Sequence, residues 1–374
     1  MIITSALVYF LAFSQGLATP LANPQEADLA GRPSKPKCSK PAKRLPWQAL
    51  SRKEKKAYID AELCLMRKPS KLNLPGAITR FDDLIKPHQI MARETHQTGY
   101  FLPFHRYLMH THETVLRTEC GYKGHQPYWA EELDIDNIQN SDVLDSVTGF
   151  GGGVLDTLAC VPNGPFKNYK LHTGPGQKNT ENCIERRLSN IATLTARQEY
   201  IDYCYQFNTF EDAWPCLEDG GPHNAWHAGV GGVMLDPISS PGDPLFYLHH
   251  TWLDKVWWDW QKQKPERLRD ITGRKVSINP FFDLLSNLPG NSTITDFFMG
   301  NIPGLPSIPG GGPFSENNRG PPTFQPRNET IADPVKLTDT LTVFGLIPNT
   351  TVSQVMNIKD GILCYEYVDY EDAI

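Results

Sequence analysis

Apolar positions recur at helical spacing in several separate stretches of the chain. Residues 48–68 (QALSRKEKKAYIDAELCLMRK) show that period, and Ser51 with Glu54 stand in a capping-box relation, so a helix is expected there. A second helix is expected from about Ile78 to His88. A third runs from Pro103, whose fixed φ suits a first turn, to about Arg117. Helices resume near Thr195–Gln206. Two more carry His223–His227 and Pro244–Lys262, with His250 at the start of its helix. Residues 145–185 contain the run Gly151-Gly152-Gly153 and little periodicity, as in a long loop tied by cysteines. From Leu288 to Arg327 the chain turns Pro/Gly-rich, which implies irregular coil. Short β-like runs follow at Thr340–Phe344 and Ile362–Val368. Residues 19–45 read as an extended arm with Cys38 in it. The pattern predicts one mainly α domain with long loops and a few short strands, and shows no internal repeat.

Composition narrows the setting. Over 374 residues the net charge is −6, with no basic excess to suit a nucleic-acid partner. An uncharged apolar run, Ile2 to Phe13, precedes Gly16-Leu17-Ala18, which suits cleavage after Ala18, so residues 1–18 are expected to be a signal peptide and 19–374 the secreted chain. No later run reaches the length of a membrane span, so no anchor is expected. The eight cysteines lack CxxC pairs and favour disulfides in an oxidising compartment, with the pairing left open. Asn291, Asn328 and Asn349 begin glycosylation sequons.

All eleven histidines fall between His88 and His250. Neutral imidazole ligates copper, zinc and iron, and such clustering points to a metal. One group is His88, His96 and His105. The other is His223 with His227, one helical turn apart and so about 6 Å from each other, joined by His250. His110, His112, His125 and His172 are read as ordinary core or surface residues. A zinc hydrolase of the HExxH type is excluded because Asn224 follows His223, leaving no glutamate base.

The stretch from His96 to Glu113 (HQTGYFLPFHRYLMHTHE) resembles the first copper motif of the type-3 copper family: tyrosinases, catechol oxidases and haemocyanins. His223 to Trp260, including DPLFYLHH and Asp254, resembles the second. With Pro127-Tyr128-Trp129 the likeness covers about 81–262, and it is closest to short secreted fungal members. It implies a four-helix bundle core enclosing two copper ions, with a coil and short-strand part over 288–374. It implies that His88, His96 and His105 hold one copper and His223, His227 and His250 the other. His249, Phe246, Asp254 and Glu113 are then candidates to support the ligands. Asn224 matches a residue that helps hold a proton-accepting water, with Glu218 or Asp219 as the carboxylate beside it. Ala228 and Pro237 fall at the substrate rim, in or near the segment Met234–Gly242, whose openness would admit bulky phenols or a phenolic peptide.

Several positions depart from the family pattern. Glu94 stands where many relatives have the cysteine that forms a thioether, so none is expected. Phe104 replaces the usual Trp before the third ligand. Ala130 ends the Tyr-Trp-Asp motif, which removes one carboxylate, and Lys255 replaces Arg after Asp254. Tyr365-Glu366-Tyr367 resembles the motif closing the family's core domain, so no shielding plug over the site is expected. The resemblance implies an oxidoreductase that uses O2 to hydroxylate monophenols, oxidise catechols to o-quinones, or both. The alternatives are a catechol oxidase or o-aminophenol oxidase without the first step, and a haemocyanin-like oxygen carrier.

Overall fold

The computed structural model describes residues 38–219, 221–280, 282 and 331–374. The expected signal peptide, most of the N-terminal arm, the Pro/Gly-rich stretch, Asn291 and Asn328 lie outside the described residues. The longer helices are α1 (Arg52–Arg67), α2 (Arg80–Ile90), α3 (Phe101–Glu119), α4 (Gln198–Tyr205), α5 (Phe210–Asp219), α6 (Pro222–Val230) and α7 (Leu245–Gln261).

Local chemistry sets most of their ends. Ser51 accepts from the Glu54 amide while the Glu54 carboxylate accepts from the Ser51 amide at 2.9 Å, the reciprocal cap read from the sequence. Thr79 and Asp82 do the same for α2, which starts two residues later than expected and runs past His88. Helix α3 begins at Phe101, with Pro103 still inside the first turn, where no amide is needed. His250 lies in the second turn of α7, not at its start.

Helix α5 has no counterpart in the sequence analysis, and it carries Pro215 in its interior. A mid-helix proline costs ~3 kcal/mol. Burying an apolar side chain returns about 1.5–3 kcal/mol. Here Phe210, Trp214 and Leu217 are all buried, so burial wins.

Helix α3 packs on α7, α6 on both α5 and α7, and α1 on α2 and α3. The histidine-bearing helices α2, α3, α6 and α7 thus surround one core, the expected bundle. Short strands trim it: β1 (Ala42–Arg44), β2 (Ala159–Cys160), β3 (Lys170–Leu171), β4 (Asn182–Cys183), β5 (Glu185–Arg186), β6 (Thr340–Leu341), β7 (Thr350–Thr351) and β8 (Tyr365–Tyr367). The pairs are β1–β8 parallel, and β2–β5, β3–β4 and β6–β7 antiparallel. All eight cysteines are paired: Cys38–Cys364, Cys64–Cys120, Cys160–Cys183 and Cys204–Cys216.

The β1–β8 pair locks the two ends of the described chain to the bundle through buried charge. Asp254 on α7 accepts from Arg106 Nε and, at 2.5 Å each, from the hydroxyls of Tyr365 and Tyr367. Arg44 bonds Glu113 at 3.0 Å and lies 3.6 Å over the Tyr365 ring. Arg106 also donates to the carbonyls of Val355 and Met356 and stacks 3.7 Å over Trp257.

Candidate metal centre

Six buried imidazoles converge where α2, α3, α6 and α7 meet. His88 comes from α2, His105 from α3, and His96 from the residue ending the single turn Ala92–Thr95. Their ring centroids lie 4.8–5.3 Å apart, and one nitrogen from each falls within 4.8 Å of the others. A second such group comprises His223 and His227 on α6 with His249 and His250 on α7. His227 and His250 bring their Nε2 atoms to 3.2 Å. The groups face each other: the His105 and His250 rings stack at 4.3 Å, 14° from parallel.

The hydrogen bonds select which nitrogen points inward. His88 Nδ1 meets the Ile238 carbonyl at 2.9 Å, His96 Nδ1 that of Ala92 at 2.9 Å, His105 Nδ1 that of Phe101 at 2.7 Å, and His223 Nδ1 that of Glu218 at 3.2 Å. His227 Nδ1 meets the Met234 carbonyl. A carbonyl only accepts, so each Nδ1 carries the proton and each Nε2 keeps its lone pair. The Nε2 atoms of His88, His105 and His223 are buried with no hydrogen-bond partner. Burial, with the neighbouring imidazoles, holds all six rings below the usual histidine range, and His96 and His227 sit at about 4. Neutral rings with orphaned, convergent lone pairs are the donor set that copper takes, so the residues fit a metal pair.

The other predicted residues divide. Phe246 is the apolar spacer, its ring 4.1 Å from His250 and 5.2 Å from His88. Phe104 meets His105 edge-on at 5.4 Å. Among the described residues Asp254 and Glu113 bond none of these six rings: backbone carbonyls hold five of them, and His250 Nδ1 has no partner. The hydrogen bonds of the two carboxylates go to Arg44, Arg106, Tyr365, Tyr367 and His125 instead. Lys255 pairs with Asp259 and Asp369, and Arg106 serves Asp254 where the family arginine was missed.

Glu131, fully buried, bonds His249 Nδ1 at 2.8 Å. Glu218 is buried and accepts from the Gln97 amide at 2.6 Å, while Asp219 is half-buried and accepts from the Gln97 side-chain amide at 3.4 Å. His96 at 4%, His223 at 5%, His227 at 7% and Ala228 at 8% are all buried but keep slight exposure, whereas His88 and His249 are at 0%. Pro237 is half-buried on the neighbouring loop.

Two further residues had no sequence signal. Phe282 packs its ring 5.9 Å from His96, from beyond the second motif. The loop residue Asp236 lies between the carbonyls that hold His88 and His227. Of the histidines read as ordinary, His112 pairs with the buried Glu62, His125 with Glu113 and His172 with Asp82.

A bundle that presents two facing histidine groups defines a dinuclear copper protein of the type-3 class. Residues 78–263 match the family model described as the common central domain of tyrosinase. The chain is 33% identical to the tyrosinase-like protein phomQ1' of Diaporthe leptostromiformis over 276 residues, 63% of this chain and 68% of that one. It is 29% identical to tyrosinase ustQ of Aspergillus flavus over 360 residues, 89% of this chain and 81% of the relative. A polyphenol oxidase from Thermothelomyces thermophila superposes with a TM-score of 0.64 at 25% identity, covering 92% of this chain and 93% of that one. The chain belongs to the tyrosinase family.

Proposed function

We propose that the chain is a secreted copper-dependent phenol oxidase. In this reading His88, His96 and His105 hold one ion and His223, His227 and His250 the other. The observation that carries it is the set of inward Nε2 lone pairs on His88, His96, His105, His223 and His227, fixed from behind by backbone carbonyls. His250 is preferred to His249 as the third ligand because it lies 3.2 Å from His227 Nε2 and stacks on His105, whereas Glu131 holds His249 as a positioning ring.

When bound, the copper pair supplies two-electron oxidation of phenols by O2. The protein's own groups must then orient the ring and take its proton. A phenol has a pKa near 10, so a monophenol needs a base at the site. Glu218 suits that role with Asn224 through a water, since it is buried beside His223, whereas Asp219 is half-buried. Small Ala228 and the Pro237 loop leave the rim open to a phenolic small molecule or peptide.

Secretion is supported by four disulfides, and Asn349 is exposed as a glycosylation acceptor must be. Cleavage after Ala18 would leave 19–374 as one domain. Metal analysis of the purified protein should find two coppers per chain, EPR-silent as a coupled Cu(II) pair. Oxygen uptake should follow with catechol and tyrosine. Uptake with catechol alone, or with 2-aminophenol alone, would assign the narrower oxidases. A coupled pair with no uptake would assign an oxygen carrier.

A further inference from the structure

Asp236 takes no part in the chemistry above, yet it is buried at 3% exposure. Its Oδ1 accepts from the amides of Ile238 at 2.9 Å and Ser239 at 3.2 Å. Its Oδ2 accepts from Ser239 Oγ at 2.8 Å and from the Gly176 amide at 2.6 Å. Four donors occupy a carboxylate's acceptor sites, so the turn around it is pinned.

That turn carries two carbonyls of consequence. Met234 O accepts from His227 of the second trio, on α6. Ile238 O accepts from His88 of the first trio, on α2. The remaining carbonyl-held rings use nearby residues of their own segment: His96 uses Ala92, His105 uses Phe101 and His223 uses Glu218. Among the hydrogen bonds described, only the 234–238 turn therefore holds a ligand ring from each trio. A second path closes the circuit. The Gly176 carbonyl accepts at 2.8 Å from Gln89, the neighbour of His88, while the Gly176 amide binds Asp236.

We propose that Asp236 is a positioning residue that sets the two histidine trios relative to each other by fixing the Met234 and Ile238 carbonyls. Its purpose rests on the two-copper reading; its test does not. A ring that loses its outer hydrogen bond loses its fixed tautomer and orientation.

The measurement is solvent exchange of the imidazole Nδ1–H protons, by NMR of the metal-free full chain with labelled histidine. In Asp236→Ala, exchange at His88 and His227 should rise about tenfold or more, the effect of freeing a buried carbonyl turn. His96 and His105 are internal controls and should not change. Asp236→Asn keeps an acceptor for Ile238 and Ser239, so it should show a smaller rise at the same two rings. It also serves if the alanine variant does not fold.

No change at His88 and His227 in the variant that folds would overturn the proposal. So would equal acceleration at all four rings, which marks general loosening. Absence of an EPR-silent pair in the copper-loaded wild type would sink the proposed function and leave this result standing.

Discussion

The molecule buries polar atoms in two neighbouring places and treats them oppositely. In the lock around Asp254, Arg44, Arg106, Glu113, Tyr365 and Tyr367 answer one another with hydrogen bonds and ring stacking, leaving only Arg44 Nε and Arg106 Nη2 over, each on a guanidinium stacked on a ring. In the histidine centre, the Nε2 atoms of His88, His105, His223 and His249 and Nδ1 of His250 have no hydrogen-bond partner among the described residues. Unpaired buried polar groups are costly, and imidazole nitrogens gathered within 4.8 Å of one another suit a site that an ion completes. The lock is the structural region and the histidine centre the functional one, although both lie on α3 and α7.

That contrast can be broken from either side. His227→Ala should empty one copper position and lower turnover at least about ten-thousandfold, roughly 5 kcal/mol of barrier, as read by oxygen uptake and metal analysis. Full activity would refute the ligand assignment. Asp254→Ala should instead strip a buried carboxylate from two guanidinium groups and cost about 3–5 kcal/mol in denaturant unfolding of the metal-free protein. A loss below about 1 kcal/mol would show that the lock is ornamental.

A pH titration sharpens the difference. His96 and His227 sit at about 4 in the folded metal-free chain, below the 6.5 of a free imidazole, through burial. Above pH 6.5 neither state is protonated and their contribution is complete. As pH falls towards 4 only the unfolded chain binds protons, so stability drops, by up to roughly 3 kcal/mol per ring. Replacing His227 by Ala should flatten that pH dependence by about one ring's share.

The smallest effect belongs to Glu131→Gln. Burial, with Glu132 and Asp134 nearby, pushes its carboxyl well above the usual range, and glutamine keeps its shape and an acceptor for His249. Its loss should cost under about 1 kcal/mol in the same unfolding experiment, unlike a charge removed from the lock.

Much of this was legible before any coordinates. The helical period, the Ser51 cap and the position of Pro103 placed the main helices, because capping and proline rules act within a few residues. The histidine spacing, read with the family motifs, marked the six rings. Helix α5 was hidden because its proline obeys burial of Trp214 and Leu217 instead of local preference. Asp254 and Glu113 were legible as important carboxylates, but their role was misplaced: a motif says which residues matter, not which guanidinium arrives from Arg44 in β1.

The sequence alone determined most of the helices, which depend on neighbours close along the chain, together with the metal-binding residue types and the even set of cysteines. Only the tertiary structure decided the disulfide pairing, the ring nitrogens that face inward, the contact of Glu131 with His249, and the place of Asp236 between the trios. Those depend on acceptors that folding brings from distant segments, such as Ile238 for His88, a separation of 150 residues that no local pattern encodes.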